Sequence, residues 1–303
     1  MNKAAGGGRR RVGVVQNADA GNAGDRGNAV VAFLAQHFDV STHETGPERD
    51  PAACAREAVA EGAEIVVAAG GDGTVSAVAS ALVGSQVALG VVPLGTSNSF
   101  AAALGIPDDA EAACALIATG TRRILDTARA GDRVVILHAM IGFHADAIAE
   151  TSTDAKQRWG VLAYAAQAVR QLADLTSFRV ELDTGTRAIR CDAVAVAVAN
   201  VAPPKTILAQ GPPVIAGDDG LLDVTIVAAD GVGDLVAAAA ELMRSARAGE
   251  AADDPRIGYL RVASVRIDCD PPQRVLVDGE EAGTTPISLR AVPRSLWVVA
   301  NSE

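Results

Sequence analysis

Residues 70–76, Gly70-Gly71-Asp72-Gly73-Thr74-Val75-Ser76, place three glycines, one carboxylate and two hydroxyls in a single short stretch. The apolar run before it (Ile65-Val66-Val67) reads as a buried strand, and the small-residue run after it, to Leu82, reads as a helix. A glycine-rich turn between strand and helix brings bare backbone N–H groups and a helix N-terminus to one spot, which suits an anionic phosphate. The glycines let a phosphate come close to the backbone and allow φ > 0. Asp72 would repel a phosphate, so its sensible use is to hold Mg²⁺, directly or through water, or to orient a hydroxyl. The stretch is not a P-loop, because no Gly-Lys-Ser/Thr follows, and Ser76 stands where G-x-G-x-x-G needs its third glycine. Taken alone, a tight strand-to-helix turn with a solvated Asp explains it equally well.

Three further stretches bear on chemistry. Pro93-Leu94-Gly95-Thr96-Ser97-Asn98 follows another apolar run and offers backbone N–H, hydroxyls and an amide at a strand end; it reads as a nucleotide contact or as an ordinary loop. Asp278-Gly279-Glu280 reads on its own as a hairpin turn, because Asp-Gly is a favoured two-residue turn. Asp219-Gly220-Leu221 reads as a turn leading into a strand. The histidines (His37, His43, His138, His144) lack ligand spacing, and the cysteines (Cys54, Cys114, Cys191, Cys269) form no C-x-x-C pair. The cysteines are expected to be buried reduced thiols, and the scattered spacing argues against zinc.

The elements that must position these residues come in two textures. Strands over residues 11–16, 39–43, 64–67 and 87–92 alternate with helices over 28–38, 51–61 and 75–82, and Asp108-Asp109 caps another helix. That alternation predicts an open, mainly parallel α/β sheet, whose ligands sit beyond the C-terminal strand ends. Later strands over 123–127, 134–143, 178–182, 193–198, 222–227, 260–267, 274–277 and 296–299, with a helix over 235–246, predict a largely antiparallel, sandwich-like domain. Residues 178–182 and 193–198 read as a hairpin pair. Residues 156–175 read as a helix whose apolar stripe is core or cleft wall rather than a membrane anchor. The domains are expected at 9–126 and 127–303, a length of 303 residues being comfortable for two cores.

Hydrophobic residues make up 49% and charged residues 21%, which fits a globular chain, and only 3% are aromatic, so the cores must be aliphatic. A net charge of −11 excludes bulk binding to nucleic acid and requires that an anionic ligand be held by a local device. No apolar run approaches the roughly 18 residues of a membrane span, and the run after the basic N-terminal tail is too short for a signal peptide. The expected location is the cytoplasm.

Taken together, Gly70-Gly71-Asp72-Gly73-Thr74 and Pro93-Leu94-Gly95-Thr96-x-Asn98, some twenty residues apart, resemble the diacylglycerol kinase-type catalytic domain. That family includes bacterial lipid kinases and is related to sphingosine and ceramide kinases, with NAD kinases and phosphofructokinases more distant. The likeness extends to Asn17-Ala18-Asp19-Ala20-Gly21, Thr42-His43-Glu44-Thr45-Gly46, Ile141-Gly142-Phe143-His144-Ala145-Asp146, Asp219-Gly220-Leu221-Leu222-Asp223 and Val277-Asp278-Gly279-Glu280 with Thr285-Pro286. NAD kinases share the first turn but are expected to carry Asn-Glu at the second, where this chain has Asn98-Ser99.

The resemblance implies an NAD kinase-like α/β domain, a β-rich lipid-substrate domain, and ATP-dependent transfer of the γ-phosphoryl group to a lipid hydroxyl, diacylglycerol-like, in the interdomain cleft. It implies that Gly70, Gly71, Asp72, Gly73, Thr74, Val75, Ser76, Gly95, Thr96 and Asn98 bind ATP, with Thr42 near the nucleotide. Asp72 would organise catalytic Mg²⁺, and Glu280 with Asp278 would form the acid–base pair. Asp219, with carbonyls of Ala216 and Leu221, would hold a structural Mg²⁺. The alternatives are a kinase of a soluble alcohol such as NAD, or a nucleotide-binding protein that has lost catalysis. Implied partners are the lipid alcohol and transient contact with a membrane surface; separately, the exposed edges of an antiparallel domain leave room for a homodimer. The chain departs from the family pattern at Ser99, where the family has Asp, which removes a carboxylate from the expected Mg²⁺–water network.

Overall fold

Residues 9–17, 22–142, 177–203, 217–229, 231–248 and 250–301 are described by the computed structural model. The predicted helix over 156–175 and the motif positions 18–21 and 143–146 lie outside them. The chain divides into two compact units, one made of residues up to Leu125 with those from Arg294 onward, the other Asp126–Pro293.

The first unit runs β1 (Arg11–Asn17), α1 (Asn22–Leu34), β2 (Asp39–Thr45), α2 (Pro51–Ala60), β3 (Ile65–Gly70), α3 (Asp72–Leu82), β4 (Ala88–Pro93), α4 (Ser99–Ala103) and α5 (Ala110–Thr119). Its strands lie in the order β2-β1-β3-β4, all parallel. The end of the last strand, β16 (Ile287–Ala300), adds to β4 in parallel through Trp297 opposite Ala88. β1, β3 and β4 read as unbroken apolar runs because both faces of such a sheet are covered. Asp50 caps α2 through the Ala52 N–H at 3.3 Å, with Pro51 in the first turn. Asp109 caps α5 through Ala112 N–H at 2.8 Å, as its sequence predicts.

β5 (Thr121–Ala130) carries the chain into the second unit. There β6 (Arg133–Val135), β7 (His138–Ile141), β8 (Phe178–Asp183), β9 (Ala188–Ala193), β10 (Ala195–Ala199), β11 (Leu222–Val227), α6 (Val232–Ala248), β12 (Ile257–Val262), β13 (Ser264–Asp270), β14 (Arg274–Val277) and β15 (Glu280–Thr284) follow. One antiparallel sheet has the order β12-β11-β10-β7-β14-β15. The start of β16 pairs antiparallel with β13, which continues to β8 and β9. Inward residues of both layers, such as Ile141, Val198 and Val224 from one and Val180, Ile267 and Leu289 from the other, form one core. β10 and β11 are buried along their whole lengths because α6 covers the far side, with Leu235, Ala238 and Leu242 against Ala195 and Val227. The fold is therefore a mainly parallel α/β unit plus an antiparallel, sandwich-like unit.

Local expectations are corrected in four places. α1 starts six residues before the predicted 28, because its apolar periodicity marks only its second half. The hairpin joins β8 to β9 across 184–187, whereas β10 crosses into the other sheet after Ala193. The strand predicted over 260–267 is two strands, β12 and β13, in different sheets. The strand predicted over 134–143 breaks between Val135 and His138.

Cys54, Cys114 and Cys269 are buried free thiols and Cys191 is half-buried. Burial pushes the Cys114 and Cys269 thiols up to about 11, with nearby acids adding to it. Burial likewise raises Cys54 and Cys191. Because the thiolate is the nucleophile, alkylation of the native chain with iodoacetamide near neutral pH should add at most one group, at Cys191. Intact mass after unfolding should show all four; native labelling of Cys54, Cys114 or Cys269 would contradict this packing.

Candidate functional site

β3 and β4 end in register, Gly70 opposite Pro93, so the two turns that follow leave the same sheet edge side by side. The Leu94 N–H donates to the Gly70 carbonyl at 3.0 Å, tying one turn to the other. Beyond that bond the backbones touch: a Cβ added to Gly95 would stand 2.5 Å from the Gly71 Cα. A Cβ on Gly70 would stand 2.7 Å from both Cβ and Oγ1 of Thr74. The glycines are thus required by close approach. The expectation of φ > 0 is corrected, since Gly70, Gly71, Gly73 and Gly95 all stay outside the left-handed region and Gly71 is extended at φ −87°, ψ −176°.

α3 starts at this contact, with Gly71 at its cap position and Asp72 as its first residue. Its first bond is Val75 N–H to the Gly71 carbonyl at 3.0 Å, so the N–H groups of Asp72, Gly73 and Thr74 have no acceptor inside the helix. Val75 itself is 2% exposed and belongs to the core, while Gly73 is exposed and Thr74 and Ser76 are half-buried. Asp72 accepts the backbone N–H of Phe100, at the start of α4, on Oδ1 at 3.1 Å. Asn98 closes the second turn: its Oδ1 accepts the Gly95 N–H at 3.0 Å, and its Nδ2 donates to the Gly95 carbonyl at 3.1 Å and to Asp108 Oδ1 at 3.0 Å. Its backbone is left-handed (φ 48°), a conformation that Asn tolerates better than most residues. Gly95 and Thr96 are exposed beside it.

Thr42 is not brought to this contact. It lies exposed on β2, opposite Val14 and three residues before the strand's end, and β1 separates β2 from β3. Its neighbour His43 is buried, with Nε2 3.1 Å from Ser41 Oγ.

In the second unit, Asp278 (φ 50°) and Gly279 (φ 87°) form a two-residue turn between β14 and β15 with both residues left-handed, the type I′ pattern. Asp278 is 8% exposed. Its Oδ2 accepts the Ile136 N–H at 2.9 Å, and its Oδ1 accepts those of Leu137 at 2.9 Å and His138 at 3.1 Å. Those bonds explain why the strand predicted over 134–143 breaks there: its N–H groups turn to a carboxylate instead of a neighbouring strand. Glu280, two residues on, opens β15 and is exposed.

Asp219 accepts the Leu221 N–H on Oδ1 at 3.0 Å and is paired through Oδ2 with Arg261. Ala216 lies outside the described residues. Sequence reasoning missed Asp126, which is 2% exposed; its Oδ2 accepts the Gly220 N–H at 2.6 Å and its own N–H donates to the Gly217 carbonyl at 2.8 Å. The one signal was a carboxylate directly after the apolar pair Ile124-Leu125. It also missed Arg261 and Tyr259 on β12, which both meet Asp223 on β11. Burial raises the Asp223 carboxyl while the Tyr259 hydroxyl opposes it, and burial followed by that hydrogen bond raises the Tyr259 phenol.

The contrast between Asp278 and Glu280 is measurable. Asp278→Ala strands three N–H groups and should cost about 3 kcal/mol or more in urea denaturation. Glu280→Ala, at an exposed site, should change stability by less than about 0.5 kcal/mol. Equal costs would contradict the assignment.

Residues 11–130 match a family described as "Diacylglycerol kinase catalytic domain", and residues 139–300 one described as "YegS C-terminal NAD kinase beta sandwich-like domain". A protein of Synechocystis sp. is 35% identical over 80% of this chain, which spans 56% of that protein's length. The diacylglycerol kinase of Bacillus subtilis (strain 168) is 27% identical, covering 88% of this chain and 87% of its own. A crystal structure of a diacylglycerol kinase from Bacillus anthracis str. Sterne shares the fold at a TM-score of 0.71 and 19% identity, covering 97% of each chain. With one family spanning the glycine turns and the other spanning the antiparallel unit, the chain belongs to the YegS-like diacylglycerol kinase catalytic family.

Proposed function

We propose that this chain is an ATP-dependent lipid kinase that moves the γ-phosphoryl group of ATP to the hydroxyl of a diacylglycerol-like lipid. The observation that carries the reading is the Gly71–Gly95 backbone contact, because it sets the exposed Gly95 and Thr96 beside the N-terminus of an 11-residue helix. Aligned N–H groups and the positive end of the helix dipole favour phosphate there.

In the transfer, the lipid oxygen bonds to the γ-phosphorus and the β–γ bridging bond breaks. ADP leaves, and the hydroxyl proton passes to a carboxylate. The transition state is loose, so positioning and charge neutralisation matter more than a strong base. Glu280 takes the proton, being exposed and free to meet an acceptor. Asp278 is a positioning residue, because its oxygens are engaged by backbone N–H groups.

Among the described residues no three His, Cys, Asp or Glu side chains converge on a metal position. Asp72, with one oxygen on Phe100 N–H, is a hard carboxylate that fits Mg²⁺ shared with nucleotide phosphates and water. Mg²⁺, when bound, offsets charge on the phosphates. Reaching the lipid calls for transient contact with a membrane surface; among the described residues no helix is long and apolar enough to cross one.

A second reading, nucleotide binding without transfer, rests on Ser99, which opens α4 next to Phe100 and offers a neutral hydroxyl where the resemblance expects a carboxylate. The deciding experiment is ADP release from ATP and Mg²⁺ with a panel of lipid alcohols in mixed micelles, NAD as the soluble control and Asp72→Ala as the blank. Lipid-dependent ADP that falls about 10²–10⁴-fold in Glu280→Gln supports the proposal. Release with NAD alone, or ATP binding with no release for any acceptor, overturns it in favour of the rival readings. Full turnover in Glu280→Gln removes that residue's role.

A further inference from the structure

The loop that the resemblance assigns to a structural Mg²⁺ can be tested against its own donor set. Mg²⁺ asks for near-octahedral oxygen ligands, commonly one or two carboxylates completed by water. Here both oxygens of Asp219 already have partners. Oδ1 accepts the Leu221 N–H at 3.0 Å, and Oδ2 is paired with the Arg261 guanidinium. Arg261 also reaches Asp223 Oδ1 through Nε at 3.2 Å.

The arrangement is built by strand register. Arg261 on β12 stands directly opposite Asp223 on β11, a cross-strand pair, and Asp219 lies at the entry to β11. Asp223 is 2% exposed, so its charge is compensated inside the unit by Arg261 and by the Tyr259 hydroxyl. A guanidinium keeps its charge at any working pH and grips carboxylates through several N–H groups. A divalent ion at Asp219 would have to displace that cation or sit beside it. Gly217 and Gly220, beside Asp219, are held by protein groups too: Asp126 Oδ2 accepts the Gly220 N–H at 2.6 Å, and the Asp126 N–H donates to the Gly217 carbonyl at 2.8 Å.

We infer that Arg261 takes the place of a structural divalent cation in this chain, clamping Asp219 and Asp223 so that the second unit folds and holds its loop without Mg²⁺. Among the described residues the donors offered by this loop do not fit the ion, because both oxygens of Asp219 are engaged. The inference stands on the geometry of the second unit and is independent of which acceptor is phosphorylated.

The test is thermal unfolding of the full chain without nucleotide, in Mg²⁺ and in chelator, for the natural sequence, Asp219→Asn, Arg261→Met and Arg261→Met with Asp219→Asn. Ions attracted to the glycine turns affect all four chains alike and cancel in the comparison. The expected result is the same Mg²⁺-dependent change in Tm for the natural chain and Asp219→Asn. Arg261→Met should lose about 4–8 °C in chelator, and Mg²⁺ should restore part of that loss only while Asp219 is present. A Mg²⁺-dependent rise of several degrees in the natural chain that Asp219→Asn abolishes would overturn the inference, and that comparison stands even if Arg261→Met does not fold.

Discussion

Two glycines in backbone contact, Gly71 and Gly95, are the constraint on which the edge of the parallel sheet depends. Any side chain at Gly95 would separate the turn after β3 from the turn after β4. The contact exists because the strands end in register and the Leu94 N–H reaches the Gly70 carbonyl. Asp72 and Asn98 then fasten the turns from either side, one on the Phe100 N–H, the other on Gly95 and Asp108. Nothing here relies on a large side chain. That suits a chain with a net charge of −11, in which an anion must be met by backbone dipoles over a short range.

The antiparallel unit uses the opposite device. Its aliphatic core is interrupted at chosen points by carboxylates that gather backbone N–H groups: Asp278 holds the segment between β6 and β7, and Asp126 holds the loop before β11. Hydrogen bonds to a charged acceptor contribute roughly 1.5–3 kcal/mol each. They also fix register where apolar packing alone would permit slippage. Glu280 stands two residues beyond such an anchor, so an exposed carboxylate springs from a rigid turn.

Much of this was legible in the sequence. The apolar runs of β1, β3 and β4 and the cap Asp109 announce the parallel unit, and the Asp-Gly pair announces the β14–β15 turn. The resemblance rested on motifs that the structure does bring together in part, Gly70 to Thr74 with Gly95 and Asn98. What stayed hidden was non-local. No pattern says that Asp278 bonds to residues some 140 positions earlier, that Arg261 faces Asp223 across a strand pair, or that the end of β16 joins β4. The reason for the glycines was also out of reach, because close approach between two turns leaves the same letters as a positive φ. α4, five residues long, is too short to show a period.

The most direct test of the account is the affinity of ATP, measured by calorimetry, for the natural chain, Gly95→Ala and Gly233→Ala. Gly233 has open space around its missing Cβ and serves as the control. If nucleotide phosphates sit at the contact between the two turns, Gly95→Ala should bind roughly 10–100-fold more weakly while remaining folded, and Gly233→Ala should bind as the natural chain does. A folded Gly95→Ala that binds ATP with undiminished affinity would contradict the account.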